Sequence, residues 1–243
     1  MNLSSTLTCT RVSIIRFFSF DAAHLSLELE FVPGGSLDKH IDIQSMCTIN
    51  PDAAQSIWLG ISEGLEYIHA RGIMHCDVKP ENILIRADSE RAVLCDFGNA
   101  VTNLTLRGGE ALFGYAVTNP TVKGGGTPCY VPPEGLYGEW SYGGDIWALG
   151  VTMLYATGRM PLPNRSWIIA NIHTDVNAAS EMRDWLLNVA EIAGKVPKQL
   201  NMLRKMLGED PRNRIVAKDL VQGLRSMERG KRLKGSETVK ILL

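Results

Sequence analysis

A chain of 243 residues with 45% hydrophobic content can bury one sizeable core, which suits a single domain or one large lobe with an appendage. Lys and Arg total 25 against 26 Asp and Glu, so there is neither the basic excess of a nucleic-acid binder nor an acidic solvating tail. The five cysteines form no CxxC pair, which excludes an obvious disulfide framework or zinc cluster and suits free thiols in a reducing compartment. Residues 1–20 lack the continuous apolar core of a secretory signal. No window reaches the roughly 18 apolar residues of a membrane span. A soluble intracellular protein, cytoplasmic or nuclear, is expected.

In chain order, Ile14 to Phe20 is a short apolar run of strand-forming residues, and Asp21-Ala22-Ala23 can turn it. His24 to Phe31 alternates, with Leu25, Leu27, Leu29 and Phe31 on one face, and predicts a half-buried strand. Pro33-Gly34-Gly35 breaks it, and Ser36 is placed to cap a short helix from Leu37. Asn50-Pro51 opens a helix with a cap and a proline at its first position. Ala54, Ile57, Trp58, Ile61, Leu65 and Ile68 give it a helical period, and Gly72 ends it. Ile83 to Ile85 and Ala92 to Cys95 read as a hairpin. The stretch from Asn99 to Pro128 is a long loop rich in glycine and threonine, expected to be functional or mobile. Asp145 to Thr157 is apolar all round, the signature of a buried helix. Ala178–Ala193, Lys198–Leu207 and Val216–Arg229 are amphipathic helix candidates.

The strongest chemical signal is His75-Cys76-Asp77-Val78-Lys79-Pro80-Glu81-Asn82. Its Asp, Lys and Asn can converge in one loop-formed site. Phosphoryl transfer needs such a set: a carboxylate to orient a hydroxyl, a cation for the migrating phosphate and an amide oxygen for a metal. Asp96-Phe97-Gly98 adds a carboxylate suited to Mg²⁺. Taken singly, Asp77 or Asp96 could equally be a surface or capping residue.

Together these segments resemble the catalytic loop and the D-F-G of eukaryotic-type Ser/Thr protein kinases. Further segments follow in that family's order. Tyr67 to His75 resembles the approach to the catalytic loop. Gly126 to Glu134, with Pro132-Pro133-Glu134 near the usual A-P-E, resembles the end of an activation segment. Asp145-Ile146-Trp147-Ala148-Leu149-Gly150 resembles a buried D-x-W-x-x-G helix start, and Pro211 to Arg214 the late arginine motif. The resemblance runs from about Ile14 to Arg229.

It implies a protein-kinase-like α+β fold, with a mostly helical large lobe and a two- or three-stranded remnant of the small-lobe sheet. Residues 1–32 would be the small-lobe remnant and hinge, 33–230 the large lobe and 231–243 a C-terminal tail. The implied activity is transfer of the ATP γ-phosphate to Ser or Thr of protein substrates. Asp77 would orient the hydroxyl, Lys79 would steady the γ-phosphate, and Thr127 would bridge the two. Asn82 and Asp96 would bind Mg²⁺. Glu30 and Val32 would meet adenine at the hinge, with Leu29 as gatekeeper and Leu84 as floor. Glu134 and Arg214 would form a buried pair rather than two solvated charges. Asp145 would hold the catalytic-loop backbone. The expected partners are protein substrates and a regulatory protein, with no nucleic acid and no membrane span.

The sequence departs from the family in three ways. Residues 1–29 contain no G-x-G-x-x-G and no V-A-I-K lysine, so most of the small lobe is expected to be missing. Cys76 stands where the family's H-R-D has arginine. The loop between Asp96 and Glu134 is long and carries Gly108-Gly109 and Gly124-Gly125-Gly126. Cys76 and Cys95 flank the site, either as small buried hydrophobes or as redox sensors. Two other readings of the whole chain stay open: a pseudokinase scaffold, or a fragment of a longer kinase.

Overall fold

Asn50 begins the first helix, α1 (Pro51–His69), by accepting the Asp52 and Ala53 amides on its side chain at 3.0 and 2.8 Å. The chain leaves α1 through Gly72, whose φ of 74° suits a residue without a Cβ. The computed structural model describes residues 13–86, 91–102, 126–163, 172 and 174–239, with side chains as far as 230. Residues 103–125, including Gly108-Gly109 and Gly124-Gly125, lie outside the described residues. Among the described residues four more α-helices follow: α2 (Tyr142–Ala156), α3 (Val176–Lys195), α4 (Asn201–Met206) and α5 (Ala217–Val239). The last runs ten residues beyond Arg229, where the amphipathic period stops.

The core is helical. Ile57, Trp58, Ile61 and Leu65 of α1 are buried, as are Ile146, Trp147, Leu149 and Leu154 of α2. Helix α2 is buried over almost its whole length because it carries apolar residues on every side. A Cβ at Gly150 would stand 2.8 Å from a methyl carbon of Leu207, so glycine sets how closely α2 meets the end of α4.

Described strands form three two-stranded sheets. β4 (Ile83–Ile85) pairs antiparallel with β5 (Ala92–Leu94), as the sequence pattern predicts. β3 (Ile73–Met74) pairs with β6 (Val101–Thr102), which the sequence pattern does not foresee. β1 (Phe17–Asp21) pairs with β2 (Ser26–Leu29), and the Asp21 carboxylate fixes their turn by accepting the Ala23 and His24 amides. Ser13 and Ile15 tie this hairpin to the helical lobe through two 2.9 Å backbone bonds with Leu94. Gly60 and Gly64 of α1 leave room for Ser13 there, since a Cβ on either would lie 3.0–3.1 Å from it.

Two expectations are corrected. The alternation from His24 to Phe31 predicts one buried face, yet Leu25, Leu27, Leu29 and Phe31 are all exposed. Alternation reports that a strand has an apolar face; it does not supply a layer to cover it, and these four side chains are left open. Ser36 precedes a single 3-10 turn, Leu37–Lys39, without capping it through its side chain; its backbone instead bridges to Leu84.

Candidate active site

The loop that follows β3 is fixed from beneath by Asp145, near the start of α2. One carboxylate oxygen accepts the His75 amide and the His69 Nε2–H, each at 2.8 Å, and the other accepts the Cys76 amide at 2.8 Å. Burial pushes the Asp145 carboxyl up, but the His69 hydrogen bond, the electrostatic influence of His69 and His75 and the His75 amide outweigh it and hold the group below its ordinary 3.8. A carboxylate with a depressed folded value stabilises the fold fully above 3.8 and loses that contribution as pH falls through the folded value. Asp145→Asn is therefore expected to lower the melting temperature at neutral pH, with the gap to the parent narrowing below pH about 4. Thermal melts of both proteins across an acid series check this; a gap that stays constant contradicts it.

Three further bonds set the loop. The His75 Nδ1 accepts the Asp77 amide at 3.3 Å, so its proton sits on Nε2, which donates to the Cys95 carbonyl at 3.0 Å. His75 thereby joins the catalytic-type loop to the chain entering Asp96. Cys95 strengthens the joint, its amide reaching the Asn82 carbonyl at 2.9 Å. Cys76 and Asp96 both have left-handed backbones, with φ of 63° and 60°. Such conformations cost of order 1–3 kcal/mol in non-glycine residues and persist only where the surroundings impose them.

The side chains then converge. Asp77 is buried, and its Oδ2 lies 2.9 Å from Lys79 Nζ. Its Oδ1 accepts the Thr127 hydroxyl at 3.1 Å, while Thr127 Oγ1 in turn accepts Lys79 Nζ at 2.7 Å. Asn82 Nδ2 reaches the Asp77 carbonyl at 2.9 Å and its Oδ2 at 3.3 Å. Asn99 Nδ2 approaches the same oxygen at 3.4 Å, a contact sequence reasoning missed although Asn99 directly follows the D-F-G. His69 was missed too, because a polar residue near a helix end reads as surface.

Gly126 makes the approach of Thr127 possible. Its φ is 113°, and a Cβ there would stand 2.7 Å from the Cys76 carbonyl oxygen. Gly126→Ala is expected to destabilise the protein by about 1–3 kcal/mol through strain and overpacking. Denaturant unfolding reads it; a value unchanged from the parent contradicts the close approach.

The structure does not gather every predicted residue. Asp96 is exposed, and one of its oxygens accepts the Gly98 amide at 3.2 Å. Leu29 is 44% exposed rather than enclosed, Leu84 is half-buried and Val32 is buried. Among the described residues neither the Glu30 carbonyl nor the Val32 amide has a hydrogen bond. The Glu30 carboxylate is held by Arg86, whose hydrogen bond keeps it below the usual range against the opposing effect of burial. Both flanking thiols are neutral at physiological pH. Burial and the Asp145 charge push Cys76 far up, and burial and Asp96 push Cys95 up to about 11. That favours small buried hydrophobes over redox sensors.

As to a metal, no group of three His, Cys, Asp or Glu among the described residues could hold one. Asn82 and Asp96 still offer hard oxygens: the Asn82 amide nitrogen faces Asp77, and no described residue donates to its Oδ1. That donor set fits Mg²⁺, which binds through one or two protein oxygens, with substrate phosphates and water completing its shell.

Residues 3–224 match the protein kinase domain family, and the chain belongs to it. The serine/threonine-protein kinase RUNKEL of Arabidopsis thaliana is 29% identical over 217 residues, 86% of this chain and 14% of that protein. Serine/threonine-protein kinase D of Synechocystis sp. is 28% identical, over 82% of this chain and 35% of its own length. An Aurora kinase of Dictyostelium discoideum is 27% identical, over 86% and 49%. The chain thus spans less than half the length of these relatives. No described helix is long and apolar enough to cross a membrane.

Proposed function

We propose that this chain transfers the γ-phosphate of Mg²⁺-ATP to Ser or Thr hydroxyls of protein substrates, given a cover over the phosphates. The observation that carries the reading is the closed set of contacts among Asp77, Lys79 and Thr127, with Asn82 beside it. Donors reach both Asp77 oxygens, so the carboxylate has one orientation before substrate arrives. Such preorganisation is what phosphoryl transfer rewards, because it depends on positioning and charge more than on covalent chemistry.

In this reading Asp77 orients the substrate hydroxyl and takes its proton as the hydroxyl oxygen bonds to the γ-phosphorus and ADP departs. Lys79 balances charge on the migrating phosphate, and Thr127 fixes Lys79 against Asp77 and borders the substrate groove. Asn82 and Asp96 would hold Mg²⁺, which when bound neutralises the phosphate oxygens. The Glu30 carbonyl and Val32 amide would meet adenine between Leu29 and Leu84. Residues 1–32 serve as hinge and small-lobe remnant, 33–230 as the large lobe and 231–243 as the tail. The protein kinase family uses ATP and Mg²⁺, and protein substrates follow from the same membership.

The test is binding of a fluorescent ATP analogue to the 243-residue chain with Mg²⁺, with EDTA and in Asp96→Ala. Mg²⁺-dependent binding that EDTA and the substitution each weaken about tenfold or more is expected. Equal binding in all three contradicts the metal assignment.

A further inference from the structure

A cavity of about 1000 Å³ opens beside His69, whose ring bonds Asp145 beneath the catalytic-type loop. Its walls come from the last turn of α1, the 3-10 turn Pro133–Tyr137, the first turn of α2 and the segment from Glu209 to Lys218 that leads into α5. None of Asp77, Lys79, Asn82, Asp96 or Thr127 lines it. Its volume stands at the upper end of ligand-binding clefts, about 300–1,000 Å³.

Two features define what would fit. The first is apolar. Tyr137 and Val216 stand on the rim, 81% and 56% exposed, while Tyr142, Ile146 and Ile215 lie deeper. A large aromatic side chain that is almost fully exposed beside a cavity is characteristic of contact surfaces, where tyrosine is enriched. The second is charge. Arg214 is committed to Glu134 and Arg212 to Asp210. Glu66, Glu139 and Glu209 also line the cavity, and among the described residues none of them has an ion pair. Among the described residues Lys218 is the lysine or arginine of the lining that is in no ion pair. The walls are therefore apolar with an acidic excess, and the tyrosine faces suit a guanidinium or ammonium group.

We propose that this cavity docks an extended segment of a partner protein in which an arginine or lysine is flanked by apolar residues. The basic side chain meets Glu139 and Glu66 while its neighbours cover Tyr137 and Val216. The surface is separate from the phosphoryl-transfer site, and the proposal does not depend on turnover.

The test uses the full chain and a fluorescein-labelled acetyl-Leu-Arg-Leu-Arg-Phe-amide peptide, beside its Glu-for-Arg counterpart. A third version carries benzophenone in place of the phenyl ring for photo-cross-linking. Fluorescence anisotropy is expected to show binding of the basic peptide, weakened about tenfold or more by Tyr137→Ala and by Glu139→Lys at unchanged melting temperature. Cross-links are expected in 133–146 or 209–218. The proposal fails if the acidic peptide binds as tightly, or if both variants bind like the parent. It fails equally if cross-links map to 75–82 and 126–131, or if nothing binds at about 1 mM.

Discussion

Arg214→Ala is expected to lower the melting temperature by on the order of 10 °C. Arg214 and Glu134 lie 80 positions apart and form a two-pronged pair, Nη1 to Oε1 at 2.7 Å and Nη2 to Oε2 at 3.0 Å. The arginine side chain is 0% exposed and the glutamate 5%. The same guanidinium also donates to the carbonyls of Gly143, Gly208 and Glu209. Removing it strands a buried carboxylate and three carbonyls at once, joining the 3-10 turn to α2 and to the segment before α5 no longer. Breaking one partner of a buried pair costs about 3–5 kcal/mol, and each kcal/mol moves the midpoint of a domain this size by about 2–4 °C. Arg214→Lys should recover only part of the loss, since an ammonium cannot make the paired fork. Replacing both partners with apolar residues should cost less than the sum of the single changes. Melting by calorimetry or circular dichroism decides it; an unchanged midpoint in Arg214→Ala means that the pair carries no weight.

Legibility from sequence followed locality. Asp77, Lys79 and Asn82 sit within six consecutive residues, so their convergence could be read from spacing, and the structure brings them together with Thr127. Helix α1 was legible because cap, proline, period and terminal glycine all agree. Of the long-range pairs, Glu134 with Arg214 is legible only through resemblance, and His69 with Asp145 not at all. Glu134 and Arg214 look like surface charges in isolation, and nothing near His69 announces a bond to Asp145 76 positions away. β3 and β6 are two residues each, too short to carry a period. The exposure of the β1–β2 hairpin is not encoded in its sequence for a different reason. Its pattern encodes an apolar face, with Phe17 opposite Leu29 and Phe20 opposite Leu27, but burial depends on what lies above it. Asn99 escaped notice because one amide beside a recognised motif has no pattern of its own.

Phosphoryl transfer by the 243-residue chain itself is expected to be far below that of a kinase with a closed phosphate site. Residues 1–29 contain neither a glycine nor a lysine, so within this chain they supply no glycine-rich cover and no lysine for the triphosphate. A misplacement near 1 Å can cost about a hundredfold, and a freely rotating triphosphate is placed worse than that. The large lobe, by contrast, holds its groups ready: Asp77 is locked by Thr127 and Lys79, and Asp145 secures the loop that carries it. Grafting a family small lobe before Ile14 should therefore restore activity without any change in the large lobe. In the grafted protein Asp77→Asn should lower the rate about 10²–10⁴-fold, the usual worth of a positioned acid–base group.

The measurement that bears most directly on this account is incorporation of labelled phosphate from Mg²⁺-ATP into a generic basic protein. It compares the chain, the small-lobe graft and the graft carrying Asp77→Asn. The account predicts little signal from the chain, a clear signal from the graft and its loss on Asp77→Asn. Transfer by the graft that survives Asp77→Asn, or strong Asp77-dependent transfer by the ungrafted chain, would contradict it.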